Sequence, residues 1–491
     1  MNLLEQTKAM EDRMLGELVW LSPIGALVVA SIVAVLATLI VPRHRQGLVG
    51  AWAAGAHLSA AALAAGVWLD LGPARVMEGT VDMDGLALAM IGLIGVAGAI
   101  TVAMARPVVA GTDRESEFYA VLTAANLAAA VLVAAADIAL VAMAVGMLSL
   151  TSFVLTGYLR DSPAGNEASI KYYIYGSVAG AGMVFGFSYW FGLTGQTGLR
   201  AIGDTLADAP TAAVVVSTAL VVLGLGYKAA LVPFHFWAPD VYAGAPLPVA
   251  AYLSVLPKIA GLIALARVLS LALPDDGAGW STAIAVIAAA TMTYGNLAAL
   301  WQRDVVRLLA YSSIAQSGYL LMGVAALGAS DLGLPALVYF AIAYAATNLA
   351  AFAVVMAVQR ERGSVDVGAF AGLGRAHPWW TAALILAFLS LLGLPPLSGF
   401  VGKLEVFTAA IDAGQAWLAV VAVVNTVVSL FYYLRVIAPA VLEAPHDPDL
   451  IARPAAPALA VALAVTSVAT VAIGLGAEPL LELAERALIA S

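Results

Sequence analysis

Lys228 sits inside an apolar stretch, VVVSTALVVLGLGYKAALVPFHFW, with Pro233 five residues after it. Lys258 follows Pro257 in YLSVLPKIAGLIALARV, and Lys403 lies past the paired prolines of LLGLPPLSGFVGKLEVF. A charge near the middle of a bilayer costs at least ~2.5–3.5 kcal/mol on insertion scales. Three such lysines, two of them beside proline-broken helices, suggest a path for protons or ions. A lysine can move a proton when its surroundings alternate between favouring and disfavouring the charged form. Pro233 frees a carbonyl that could hold water, and His235 titrates near neutrality and could relay. Lys228, Lys258, Lys403 and His235 are therefore the candidate path residues.

Each candidate has a competing reading. Lys228 could stay charged on broken-helix carbonyls. Lys258 could simply bond a backbone carbonyl or a hydroxyl such as Ser254, and His235 could make a helix-end hydrogen bond. Lys403, two residues before Glu405, could be an interfacial lysine that snorkels and pairs with Glu405 or lipid phosphate. Asp240 reads as a helix cap or loop anchor. In YSSIAQSGYL, Ser312, Ser313, Gln316 and Ser317 sit among apolar residues, where such groups hold water chains or join helices.

The elements that must position these residues are membrane spans. The chain has 491 residues, 63% hydrophobic and 11% charged, where a soluble protein carries roughly a quarter charged. Apolar runs of about 20 residues without period-2 alternation exclude a β-barrel. The expected fold is all-α and polytopic, with about fourteen transmembrane helices. With no cysteine, disulfides, thiolate metal sites and cysteine-ligated iron–sulfur clusters are excluded, and the five histidines lack metal-ligand spacing. No phosphate-binding glycine loop, nucleophile triad or dinucleotide fingerprint is present. The first residues are polar and the first apolar run is long enough to span, so no cleavable signal peptide is expected.

With the N-terminus outside, thirteen Lys and Arg residues fall in inner loops and five, among them Lys8, Arg13 and Arg200, in outer segments. That asymmetry fits the positive-inside rule. Arg267, near the outer end of its helix, is expected to snorkel. Spans 7 and 12 both break, five spans apart, so spans 4–8 and 9–13 read as inverted five-helix repeats. Such repeats place ion sites near the midplane. The expected organisation is an N-terminal three-helix segment (1–115), a first repeat (116–272), a second repeat (280–438) and a C-terminal helix and tail (439–491).

Several segments resemble the antiporter-like subunits of respiratory complex I, subunit N most of all. They are ESEFYAVL, EASIKYYIYG, GLGYKAALVPFHFWAPDVYAGAPLPVAAYLSVLPKIAG, GNLAALWQRDVVRLLAYSSIAQSGYLLMG, AFAGLGRAHPWW, and LSLLGLPPLSGFVGKLEVF followed by SLFYYLRVI. The resemblance covers about residues 115 to 437. It implies proton translocation through Lys228, Lys258 and Lys403, in a membrane-arm subunit of a complex I-type NADH:quinone oxidoreductase. NADH, FMN, iron–sulfur clusters and quinone would belong to partner subunits, with no cofactor in this chain. Subunit M-, K-, J-, A- and H-like neighbours and a bacterial inner membrane are implied, and no nucleic acid. Two departures stand out. The family's span-5 glutamate is replaced by Gly146 in AVGMLSL, and its span-10 histidine by Gln316. Lys228 thereby loses the carboxylate expected to tune it, which implies altered or lost channel function. A multisubunit Na+/H+ antiporter subunit and a non-conducting scaffold are the alternatives.

Overall fold

The computed structural model describes residues 16–273, 279–444 and 454–489, so Lys8, Arg13 and Arg453 of the charge tally lie outside the described residues. Backbone in hydrocarbon must satisfy its own polar groups, so the apolar runs become helices. The first are α1 (Ser22–Ile40), α2 (Gly47–Asp70), α3 (Gly85–Val109), α4 (Glu115–Ala134), α5 (Ile138–Thr156), α6 (Pro163–Thr194) and the short α7 (Leu199–Leu206). Then come α8 (Thr211–Lys228), α9 (Trp237–Gly244), α10 (Leu247–Ala272), α11 (Trp280–Ala299), α12 (Val305–Ala326) and α13 (Gly333–Arg362). The short α14 (Leu373–Ala376) precedes α15 (Pro378–Leu392), α16 (Ser398–Asp412), α17 (Ala416–Leu442), α18 (Pro457–Leu475) and α19 (Ala477–Arg486). Beyond the all-α expectation, β1 (Ala74–Val76) and β2 (Val81–Met83) pair as a small antiparallel hairpin before α3.

Twelve described helices are long and apolar enough to cross a membrane. Fourteen is reached only by adding α6, of 32 residues, and the broken pair α15–α16. Span 7 is broken likewise, into α8 and α9. At the centre stands α10, buried on every side, as a helix apolar all round should be. Small residues let the backbones close in. A Cβ on Gly295 would lie 2.6 Å from Ala315 N, and one on Gly318 2.6 Å from Met292 N, so α11 and α12 cross at direct backbone contact.

Matching backbone pairs support the five-span repeat. Asp137 caps α5 by accepting from Ala139 and Leu140 N–H, and Asp304 caps α12 by accepting from Arg307 N–H. Asp137 bridges to Gly198, just past α6; Asp304 bridges to Asp366, just past α13. Ile138 N–H donates to Thr197 C=O as Val305 N–H donates to Val365 C=O. The same register sets Gly146 against Ser313 and Ser149 against Gln316, counted from each capping aspartate.

Arg267 does not snorkel. It is wholly buried and held by two carboxylates. Its guanidinium donates to Asp84 at 2.8 and 2.7 Å, to Asp82 at 3.0 Å, and to Val133 C=O at 3.1 Å. Arg200 adds a fork onto Asp82 at 3.2 and 2.8 Å. The hairpin explains the geometry, because β2 carries Asp82 and Asp84 caps α3. At the opposite end of α10, Asp240 accepts from Lys171 at 2.9 Å and Arg307 at 3.1 Å, so its reading as an anchor holds.

Removing one partner of a buried charge group strands the others, at a cost of about 3–5 kcal/mol. Arg267→Met is therefore expected to lower the thermal stability of the purified protein sharply. Arg43→Met, which breaks a surface pair with Asp113 that is 77% and 76% exposed, should cost within about 1 kcal/mol. Thermal unfolding of the two variants, side by side, checks the contrast.

Candidate functional site

The break after α8 is built by backbone geometry that leaves polar groups needing partners. Ala230 has a left-handed φ of 56°. The Trp237 indole N–H takes the Tyr227 carbonyl at 2.9 Å, and Thr291 Oγ1 accepts from Val232 N–H at 3.0 Å. Lys228, the last residue of α8, is thus delivered into the interior, fully buried. Its Nζ donates to Ser149 Oγ on α5 at 2.9 Å and lies 5.5 Å from the centre of the Tyr172 ring. Neither a broken-helix carbonyl nor Gly146 is the partner. Gly146 lies one turn from Ser149 on the exposed side of α5, and a Cβ there would meet nothing within 4 Å.

Lys258 lies on the central helix α10, which also carries Gly261 one turn further on. A Cβ on Gly261 would sit 3.1 Å from Lys228 Cβ, so Lys258 is roughly one turn, about 5 Å, along the helix from the point where Lys228 packs. Lys258 Nζ donates to Ser313 Oγ on α12 and stands 5.5 Å from the Tyr242 ring centre. Its partner is a hydroxyl, as the competing reading allowed, but Ser313 rather than Ser254. Ser254 is engaged elsewhere: Tyr344 Oη donates to its carbonyl at 2.8 Å and Asn348 Nδ2 to its Oγ at 2.6 Å.

The second break repeats the device with different residues. Gly393, at φ 94°, ends α15. Two carbonyls of its last turn are taken by side chains, Leu391 by Gln316 Nε2 at 2.9 Å and Leu392 by Lys403 Nζ at 2.9 Å. Lys403 also reaches Thr426 Oγ1 at 3.5 Å and lies 4.3 Å from the Tyr319 ring centre. It is only 3% exposed. Lys403 is therefore an interior group on the half-helix α16, not a snorkelling partner of Glu405.

The YSSIAQSGYL motif connects these groups. On α12, Ser313 meets Lys258, while Ser312 shares a 2.6 Å hydrogen bond with Tyr433 and Gln316 and Tyr319 serve the α15 break. His235 is nearly buried, and neither ring nitrogen makes a well-formed hydrogen bond among the described residues. Its ring lies 4.3 Å from that of Tyr294 on α11. The sequence reading passed over Ser149, Tyr344 and Thr426. Ser149 lay within AVGMLSL, in view but assigned no role; nothing local pointed to Tyr344 or Thr426.

Buried ammonium groups at two helix breaks in an inverted repeat define an antiporter-like membrane subunit. Residues 135–429 match the family described as NADH:quinone oxidoreductase/Mrp antiporter, TM. NADH-quinone oxidoreductase subunit N 1 of Streptomyces griseus is 40% identical over 459 residues, covering 93% of this chain and 95% of the relative. A chain in the structure of respiratory complex I from Thermus thermophilus with bound aureothin aligns at 32% identity and a TM-score of 0.79, over 94% of this chain and 98% of that one. A chain of the Mrp complex from Dietzia sp. DQ12-45-1b shares the fold, with a TM-score of 0.87 at 24% identity over 96% and 97%. The chain belongs to the NADH-quinone oxidoreductase subunit N family, a multi-pass, antiporter-like membrane-arm subunit that assembles with other membrane-arm subunits.

A Cβ at Gly393 would lie 2.9 Å from Lys403 Cδ, at a backbone conformation that favours glycine. Gly393→Ala is expected to cost about 1–2 kcal/mol in backbone strain alone and to displace Lys403 from the Leu392 carbonyl. Gly180→Ala, where a Cβ meets nothing within 4 Å, is the neutral control. Thermal denaturation of both variants checks this.

Proposed function

We propose that this chain translocates protons as a non-redox, subunit-N-type member of a complex I-type NADH:quinone oxidoreductase. One observation carries the reading: Lys228, Lys258 and Lys403 are all interior, and each ammonium rests on neutral oxygen. A hydroxyl accepts from an ammonium and donates to a free amine, so Lys228 on Ser149 and Lys258 on Ser313 keep a partner in either protonation state. The path then runs from Lys228 along α10 to Lys258, past His235, and across α12 to Lys403. NADH, FMN, iron–sulfur clusters and quinone belong to partner subunits, and the electron chemistry there drives the protons here. Subunit M-, K-, J-, A- and H-like neighbours and a bacterial inner membrane complete the reading. In this reading, with the N-terminus outside, Lys171 and Arg307 face the inside and Arg200 the outside, as the positive-inside asymmetry favours.

Gly146 leaves Lys228 without the carboxylate of the wider family, and its coupling is accordingly altered. The Mrp-like fold keeps a second reading in play, an ion-exchanging antiporter subunit, which differs in requiring sodium.

In the assembled, reconstituted complex, Lys228→Ala is expected to lower protons moved per electron pair while the complex still assembles. A full ratio would leave the chain a scaffold. Sodium-dependent transport would favour the antiporter reading. Gly146→Glu, where a Cβ meets nothing of this chain within 4 Å, should raise the translocation ratio in complexes that assemble. An unchanged ratio would sink the idea that this position limits coupling.

A further inference from the structure

An ammonium carries three N–H donors and no acceptor. At Lys403 one is given to the Leu392 carbonyl at 2.9 Å and one reaches Thr426 Oγ1 at 3.5 Å. That leaves a third for a partner that is not an oxygen. The Tyr319 ring of α12 has its centre 4.3 Å from Nζ, inside the roughly 6 Å over which a ring face attracts a cation. Lys228 and Lys258 also have tyrosine rings near them, but each at 5.5 Å. Of the three path lysines, Lys403 has the closest ring.

The ring is fixed where it stands. Tyr319 is wholly buried, and its hydroxyl is held at the end of the ring. Asn296 Nδ2 on α11 donates to Tyr319 Oη at 3.4 Å, and Tyr319 Oη lies 3.2 Å from Thr426 Oγ1 on α17. A single arrangement of protons serves the whole group. Asn296 gives its second N–H to Asn425 Oδ1 at 3.2 Å and accepts from Tyr432 Oη at 2.8 Å. Tyr319 donates to Thr426, which donates in turn to the Ala422 carbonyl at 3.0 Å and keeps a lone pair for Lys403. A buried polar network with its members paired is rigid. Phe407, one turn past Lys403 on α16, packs its ring 6.3 Å from that of Tyr319.

We infer that Tyr319 is a charge-stabilising residue of the proton path: the face of its ring, fixed by Asn296 and Thr426, is the third partner of the protonated Lys403. The inference rests on the proposed proton-carrying role of Lys403 and adds a residue to it. A ring face attracts a full positive charge by its quadrupole and offers little to a neutral amine. It therefore acts chiefly on the lysine that is carrying a proton. Asp82 and Asp84 lock Arg267 into a permanent ion pair. A ring holds its cation more weakly than a carboxylate does, so Lys403 is steadied in the interior and can still give its proton up.

The test uses the intact complex in proteoliposomes, with proton translocation and quinone reduction measured together. Only the electron density of the ring is varied. Tyr319→Phe keeps the ring, and phenylalanine analogues with one, two and three ring fluorines closely keep its shape while draining its face. Protons moved per electron pair should fall stepwise along that series. The trifluoro analogue should lie at least about twofold below Tyr319→Phe, the low end of what a cation gains from a ring. A side chain that only fills space gives a flat series. Lys403→Ala, measured alongside, separates the two ideas. A lowered ratio in Lys403→Ala beside a flat series removes the role of the ring alone. A normal ratio in Lys403→Ala removes the proton role of Lys403 and the inference with it. Should Tyr319→Phe fail to assemble, ring-fluorinated tyrosines at the same position, which keep the hydroxyl, supply the series, and a flat result there overturns the inference.

Discussion

An ammonium group inside a membrane protein needs oxygen around it, and a helix interior offers none to spare. Every regular helix uses its carbonyls on itself. The breaks after α8 and α15 answer that constraint in two ways. At α15 the break itself supplies the oxygen, and Lys403 binds the Leu392 carbonyl. At α8 the freed Tyr227 carbonyl goes to Trp237, and Lys228 finds its oxygen on Ser149 of a neighbouring helix. The two breaks are alike in form and opposite in which partner they spend on the lysine.

The same constraint explains why α10 is the structural centre. It has no exposed face, carries Lys258 and Arg267, and presents Gly261 to Lys228. Its two cations are treated differently. Arg267 is locked by Asp82 and Asp84, with geometry that suits permanent charge. Lys258 rests on Ser313, with no carboxylate among the described residues paired to it. A fixed charge anchors one end of the helix, and a neutral hydroxyl environment surrounds the charge at its middle.

Much of this was legible before any coordinates. Hydropathy located the spans, including both broken ones, because bilayer thickness sets helix length directly. The three lysines stood out because charge is rare in such runs. The count of fourteen was less secure, since α6 and the α15–α16 pair do not look like simple apolar helices. Arg267 was misread: its position near a helix end suggested an escape to water, and only Asp82 and Asp84, far away in the chain, cancel its need for it.

The sequence by itself determined the membrane class, the five-span repeat, the subunit N family resemblance and which residues carry charge into the interior. These follow from local hydropathy, prolines and motif spelling. Tertiary structure alone decided what each charge touches. Ser149 rather than Gly146 meets Lys228, Ser313 rather than Ser254 meets Lys258, and Leu392 rather than Glu405 meets Lys403. Helical periodicity says which residues share a face, but a hydrogen bond reaches only about 3 Å. Which faces come within that reach depends on how glycines such as Gly261, Gly295 and Gly318 let the helices close, and that is a property of the packed whole.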